Sequence, residues 1–102
     1  MSSWYKATFS KGEHASKGGQ LQTAFERLFL DAFAPRDAAM FTTEGPETPD
    51  RRPYSYFFSP GAVHVARTLI EAYGGRPCDA PPRKGLTLLV GHDDSEEIPF
   101  AG

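Results

Sequence analysis

Residues 54–75 read YSYFFSPGAVHVARTLIEAYGG, and this stretch decides the fold. Its first five residues, four aromatic side chains and one serine, are typical of a β-strand. A helix start follows, because Ser59 can cap a helix and Pro60 suits its first position. Gly74 and Gly75 then end the helix, since glycine readily adopts the left-handed conformation found there. We therefore expect a strand followed directly by a helix.

The helix within this stretch is amphipathic. Its apolar positions recur at the spacing of one helix face; they are Val63, Ala66, Ile70 and Tyr73. Its polar positions fall on the opposite face; they are His64, Arg67 and Glu71. This pattern predicts a helix that packs on a sheet and keeps its polar face in water.

A second amphipathic helix is predicted over residues 20–34 (QLQTAFERLFLDAFA), ending before Pro35. Four apolar residues fall on one face at the spacing i, i+4, i+7 and i+11: Leu21, Phe25, Leu28 and Ala32. Three more widen the stripe beyond what one sheet face covers: Phe29, Leu30 and Phe33. We expect this helix to bury a flank against its neighbour or in a subunit interface.

Three further segments have the composition of strands. Residues 4–9 (WYKATF) alternate and are rich in aromatic residues, and residues 38–43 (AAMFTT) form a second candidate. The proline-rich residues 44–53 are expected to be a loop, which makes a long hairpin with the strand at residues 54–58. Residues 86–90 (LTLLV) are apolar on nearly every position, which favours a central place in the sheet.

The predicted elements run β-α-β-β-α-β. Short right-handed crossovers then favour a four-stranded antiparallel sheet with both helices on one face. This two-layer α+β arrangement resembles the ferredoxin-like sandwich, an architecture shared by many unrelated activities. We expect a single domain over residues 1–92 and an acidic, flexible C-terminal tail over residues 93–102.

The composition limits the function classes. The chain has 102 residues, of which 39% are hydrophobic and 24% charged, as in one folded domain. The single cysteine, Cys78, excludes an internal disulfide framework and a multi-cysteine metal site. The sequence lacks a signal-peptide pattern and an apolar run long enough for a membrane helix, so we expect a cytoplasmic location. The net charge of −2 does not indicate a nucleic-acid surface.

The sheet face opposite the helices is the first candidate site, because two helices on one side leave it uncovered. Aromatic residues make up 13% of the chain, and strand alternation places some of them on either face. An exposed aromatic patch usually marks a binding or oligomer surface, although an open sheet with scattered tyrosines and a ligand cleft remain alternatives. The candidate interface residues on the sheet and the first helix are Trp4, Tyr54, Tyr56, Phe29 and Phe33.

The glycine-rich residues 10–19 are a second candidate site. A flexible loop with a lysine and free backbone amides at a helix start can hold an anion. The candidate anion-binding residues are Lys17, Gly18 and Gly19. Their order differs from that of a phosphate-binding P-loop, in which the lysine follows the glycines. An ordinary solvated connection is the alternative.

Three other side chains have chemistry that a site can use. His14 and His92, which the topology can bring near Asp93, would suit a general base or a metal. Cys78 has three basic residues nearby, and cations can lower the pKa of a thiol. The spacing assigns none of them a role, so the sequence predicts no catalytic residue, cofactor or metal site.

The sequence favours a small non-enzymatic interaction domain that forms a homodimer through its aromatic sheet face or its first helix. One alternative is a small cofactor-independent enzyme or ligand-binding protein of the dimeric α/β-barrel type, which rests on fold analogy. The other alternative is a single-stranded nucleic-acid binder. It rests on residues 51–58 (RRPYSYFF), where basic residues precede alternating aromatic rings that could stack on bases.

Overall fold

The computed structural model describes residues 3–31, 33–43, 54–92 and 96–101. The fold is α+β, with two helices and a five-stranded antiparallel sheet, which confirms the predicted class and helix number. The helices are α1 (Gly19–Asp31) and α2 (Pro60–Ala72). The strands are β1 (Trp4–Phe9), β2 (Ala39–Thr43), β3 (Tyr54–Phe58), β4 (Arg76–Cys78) and β5 (Leu86–Gly91). The predicted loop at residues 44–53 lies outside the described residues.

The sheet has the strand order β4-β1-β3-β2-β5, which differs from the prediction in two respects. It has five strands rather than four, because the three residues of β4 pair with β1. The last strand, predicted to be central, is an edge strand that pairs with β2. β5 is apolar on both faces for another reason, because each of its faces packs against a hydrophobic cluster. A register shift opposite Met40 and Phe41 changes which side chains face each cluster, so that Leu86 points to one side of the sheet and Val90 to the other.

Both helices pack on one side of the sheet, which we call the helix face. The predicted alternation of β1 and β3 is confirmed, because this face contains Tyr5, Ala7, Phe9, Tyr56 and Phe58. Phe25 of α1 packs edge to face on Phe58, with ring centroids 5.4 Å apart. Ile70 of α2 is fully buried in the same core. The helix face thus holds the larger of two hydrophobic clusters.

The opposite side of the sheet is covered in part by residues 96–101, which we call the C-terminal strip. Trp4 and Phe41 project from this side, and both rings contact Phe100, at centroid distances of 5.2 and 5.4 Å. The Trp4 indole N–H donates a hydrogen bond to the carbonyl oxygen of Pro99 at 3.0 Å. Ile98 is 2% exposed within the same cluster. Residues that were predicted to form a flexible tail therefore cover this face around Trp4 and Phe41, while Lys6 and Thr8 of β1 on the same face stay exposed.

Ser59 joins α2 to the sheet. Its side chain is fully buried, and its hydroxyl donates a hydrogen bond to the carbonyl oxygen of Asp37. The Ser59 hydroxyl oxygen in turn accepts hydrogen bonds from the backbone N–H of Ala39 at 2.8 Å and from that of Ala62 at 3.4 Å. The predicted helix cap is therefore confirmed, and it also fixes the start of β2. At the other end of α2, Gly74 has a φ of +88°, as its predicted role requires.

The glycine-rich residues 10–19, predicted to be a connection, are largely helical. A short helical turn at Lys11–Glu13 leads through a π-helical turn at His14–Gly18 into α1 without a break. The Glu13 carboxylate accepts hydrogen bonds from the backbone N–H and hydroxyl of Ser10, at 3.4 and 3.2 Å. This is one half of a capping box, because the Glu13 carboxylate reaches back to the Ser10 N–H, while the Glu13 N–H bonds to the Ser10 carbonyl oxygen rather than to its hydroxyl. The helical segment therefore begins directly after β1.

We predict that Ser59→Ala lowers the free energy of unfolding by about 2–3 kcal/mol, because two buried N–H donors lose their acceptor. The measurement is urea denaturation followed by circular dichroism. Ser16→Ala is the matched control, because its hydroxyl is exposed, and it should cost about 0.5 kcal/mol or less. Equal losses for the two variants would show that Ser59 does not join α2 to the sheet as described.

Candidate functional site

The exposed apolar side chains of the molecule lie at the C-terminal end of α1. The relative exposure is 104% for Phe33 and 75% for Leu30, the two large hydrophobic residues that the described residues leave in water. Phe29 lies beside them and is half-buried, with its ring 6.2 Å from that of Phe25 and 5.9 Å from that of His92. We call Phe29, Leu30 and Phe33 the α1 patch. It is a candidate contact surface, because small domains rarely keep adjacent large apolar side chains exposed.

The structure separates the five candidate interface residues. Phe29 lies in the last turn of α1 and is half-buried, and Phe33 lies just beyond the helix and is fully exposed. Trp4 and Tyr56 are each 2% exposed and lie on opposite faces of the sheet, Trp4 under the C-terminal strip and Tyr56 under the helices. The side chain of Tyr54 lies outside the described residues. Trp4 and Tyr56 therefore offer almost no ring surface to a second molecule.

Leu30 was missing from the candidates, although it is one of the residues that widen the apolar stripe. It comes nine residues after Leu21, about 180° around the helix, so it faces away from the core that Leu21 and Phe25 fill. The helix stops at Asp31, three residues earlier than predicted, and Phe33 lies ahead of the turn that leads to β2. Arg36 anchors this turn through an ion pair with Glu97 of the C-terminal strip, at 3.3 Å. The α1 patch thus adjoins the segment that covers the other sheet face.

The candidate anion-binding residues lie inside the helical segment. Lys17 donates from its ammonium to the Glu13 carboxylate at 3.0 Å, and this hydrogen bond holds the pKa of Glu13 below its ordinary value. A Cβ at Gly18 would approach the Tyr56 hydroxyl oxygen to 3.0 Å, so glycine allows the helix to lie close to this ring. Gly19 begins α1 but follows helical residues, so it does not offer the free amides of a helix start. These residues serve capping and packing in this arrangement.

The other reactive side chains are not assembled into a site. The His92 ring packs against Phe29, while the side chain of His14 and the whole of Asp93 lie outside the described residues. Across the described ranges, no three histidine, cysteine or acidic residues are grouped so that they could hold a metal ion. Cys78 is half-buried, and burial raises the pKa of its thiol above the ordinary value, despite the nearby charge of Lys6. The thiol is therefore less ionised than a free cysteine.

A cleft of about 500 Å³ lies on the far flank of α2 from α1, between the start of β1 and β4. Sequence reasoning missed it because its residues come from three separate segments. They are Ser3, Tyr5, Pro60, Val63, His64, Arg67 and Pro77. Glu71, one helical turn beyond Arg67, joins the cleft by accepting a hydrogen bond from the Tyr5 hydroxyl at 3.1 Å. The cleft combines charged and apolar groups in a volume that fits a small molecule.

No family model, curated protein or solved structure matches this chain. Neither α1 nor α2, nor any other helix among the described residues, is long and apolar enough to cross a membrane. Function is therefore inferred from the two surface features of the chain itself, the α1 patch and the cleft beside α2.

We predict that Cys78 reacts with iodoacetamide at pH 7 more slowly than free cysteine, because its raised pKa lowers the thiolate fraction. The rate should rise as the pH approaches the elevated pKa, and mass spectrometry of the alkylated protein measures it. The chain unfolded in urea is the control and should react at the rate of a free thiol. A folded-state rate at pH 7 above that control would contradict the assignment.

Proposed function

We propose that this protein is a small non-enzymatic interaction domain that forms a homodimer through the α1 patch. The observation that carries the proposal is the exposure of Leu30 and Phe33, at 75% and 104%, beside the half-buried ring of Phe29. Such a surface is self-complementary when two copies meet about a twofold axis, the commonest symmetry of protein dimers. A second copy is therefore the partner that we propose.

The contact uses α1 rather than the sheet. The sheet face that was expected to pair with another molecule carries Trp4 and Phe41, and both rings are buried by the C-terminal strip of the same chain. Of the two surfaces that the sequence offered, the first helix is the one that still presents large apolar side chains to water. This difference in exposure supports the choice.

The size of the α1 patch predicts a weak dimer. Burying one phenylalanine or leucine side chain contributes roughly 1.5–3 kcal/mol. Association of two chains costs several kcal/mol of lost translational and rotational freedom, which offsets much of this gain. A stable interface usually buries more than about 1,200 Å² in total, so polar residues around the patch must contribute as well. We expect a dimer whose population depends on concentration.

We further propose that the domain is a ferredoxin-like sandwich with one added strand. In chain order, β1, α1, β2, β3, α2 and β4 give the β-α-β-β-α-β succession of that architecture. β5 is then the addition, placed beside β2 at the edge of the sheet. Both helices lie on the helix face, which supports the two-layer arrangement.

The alternatives have less support. A nucleic-acid platform would need Tyr56 to stack on a base, but its ring is 2% exposed beneath the helices. An enzyme would need a reactive group held beside a cleft. Among the described residues, the cleft beside α2 has Arg67 and His64 at its exposed rim and a Glu71 carboxylate that already accepts two hydrogen bonds. This arrangement is better suited to binding than to proton transfer.

The test is sedimentation velocity over a range of protein concentrations. The wild-type protein should show a concentration-dependent shift from monomer to dimer, and Leu30→Ser combined with Phe33→Ser should abolish it. Because both side chains are exposed, the free energy of unfolding of the double variant should lie within about 0.5 kcal/mol of the wild-type value.

His64→Ser is the matched control, since it changes an exposed residue on the opposite flank of α2 and should still dimerise. A wild-type chain that stays monomeric at millimolar concentration would overturn the proposal. So would a double variant that dimerises as strongly as the wild type.

A further inference from the structure

The cleft beside α2 has three walls with different chemistry. α2 contributes Val63, His64 and Arg67, the start of β1 contributes Tyr5, and β4 contributes Pro77. Its volume of about 500 Å³ lies within the range of small-molecule sites in proteins. It is separated from the α1 patch by α2, so its role is independent of the proposed dimer.

Arg67 is the main cation of the cleft, and a hydrogen bond to Glu71 orients its guanidinium group. Its Nε–H donates to the Glu71 Oε2 at 3.4 Å, and the same carboxylate oxygen accepts from the Tyr5 hydroxyl at 3.1 Å. This contact uses one edge of the guanidinium group. The guanidinium group also interacts with the Tyr5 hydroxyl, and the Arg67 side chain is 67% exposed. Its N–H groups that face solvent are donors of the kind that bind carboxylates and phosphates.

His64 adds a second donor to the same rim. It lies three residues before Arg67 on α2, across a kink at Ala66, and both side chains line the cleft. His64 is exposed and lines the cleft, and it makes no hydrogen bond or ring contact with other described residues. The acidic group near this rim is Glu71, which forms an ion pair with Arg67 at 3.4 Å and accepts a hydrogen bond from the uncharged Tyr5 hydroxyl. The rim therefore offers an anion the donor groups of Arg67 and His64 rather than a net positive charge.

The apolar walls favour a ligand with an organic body. Pro60, Val63 and Pro77 line the cleft, and the two proline rings have no side-chain rotamers to change. Rigid apolar walls lose little entropy when they bind a flat or branched group. An anion held at the rim would place such a group between these side chains.

We infer that this cleft binds a small organic anion, a carboxylate or a phosphate monoester, with Arg67 and His64 on its charged group and Pro60, Val63 and Pro77 around its apolar part. Tyr5 and Glu71 are positioning residues, because the Glu71 carboxylate accepts hydrogen bonds from both the Tyr5 hydroxyl and the Arg67 guanidinium group. This function is additional to the homodimer and does not depend on it.

The experiment is NMR titration of the ¹⁵N-labelled protein at constant ionic strength. The probes are benzoate and phenyl phosphate, with benzyl alcohol as the uncharged control. We expect saturable shifts for α2 residues around Val63 to Arg67 with at least one anion and no saturation with benzyl alcohol. The anion that binds more tightly identifies the carboxylate or the phosphate class.

Arg67→Gln should lower the affinity for the anion at least about tenfold, because it removes the charged guanidinium donors. Arg67→Lys, which keeps the charge but loses the forked geometry, should fall between the wild type and the glutamine variant. Arg27→Gln is the matched control, since Arg27 is an exposed arginine of α1 outside the cleft, and it should bind as the wild type does.

Two results would overturn the inference. One is the absence of saturable binding for both anions at concentrations up to tens of millimolar. The other is equal binding by the wild type, Arg67→Gln and Arg27→Gln. Unchanged far-ultraviolet circular dichroism would show that each variant is folded, so a loss of binding is distinguishable from a loss of structure.

Discussion

The contact between Trp4 and the C-terminal strip is the interaction on which the rest of the structure depends. It buries an indole ring on the sheet face that the helices cannot reach, and the Pro99 carbonyl satisfies the indole N–H. Burying a large aromatic side chain contributes several kcal/mol, which is a large share of the stability of a domain this small. Arg83 adds to the cover, because its guanidinium group lies 5.7 and 5.6 Å from the centres of the Phe41 and Phe100 rings. The sheet can therefore carry apolar residues on both faces within one chain.

This closure determines where the molecule can interact with others. The C-terminal strip covers the sheet around Trp4 and Phe41, and among the described residues the large apolar side chains left in water are Leu30 and Phe33 of the α1 patch. The Arg36–Glu97 ion pair links that end of the fold to the C-terminal strip. The polar cleft lies on the other flank of α2. The two proposed contacts, a second copy and a small anion, therefore use separate surfaces. Substitutions of exposed side chains can change either contact without removing the residues that cover Trp4 and Phe41.

Local sequence rules were sufficient where a structure is set by neighbouring residues. The Ser59 cap, the Gly74 helix end and the alternation of β1 and β3 each follow from spacing within a few residues. The rules failed where partners are distant: Trp4 meets Pro99 across 95 positions, and Ile98 gives little sign of burial within an acidic segment. β4 did not stand out in the sequence because it has three residues and contains Pro77, yet proline is tolerated in an edge strand. The cleft was not predicted because its walls come from three segments that are distant in the sequence.

Trp4 is the only tryptophan in the sequence, so its fluorescence reports directly on the C-terminal strip. The decisive measurement is acrylamide quenching of the folded protein, compared with the same protein in urea and with a Phe100→Ser variant. If the strip covers the sheet, the folded chain should show blue-shifted emission and weak quenching. The Phe100→Ser variant should be quenched more strongly while it keeps its circular dichroism spectrum. Folded wild-type protein whose tryptophan emits and is quenched as in urea would contradict the account.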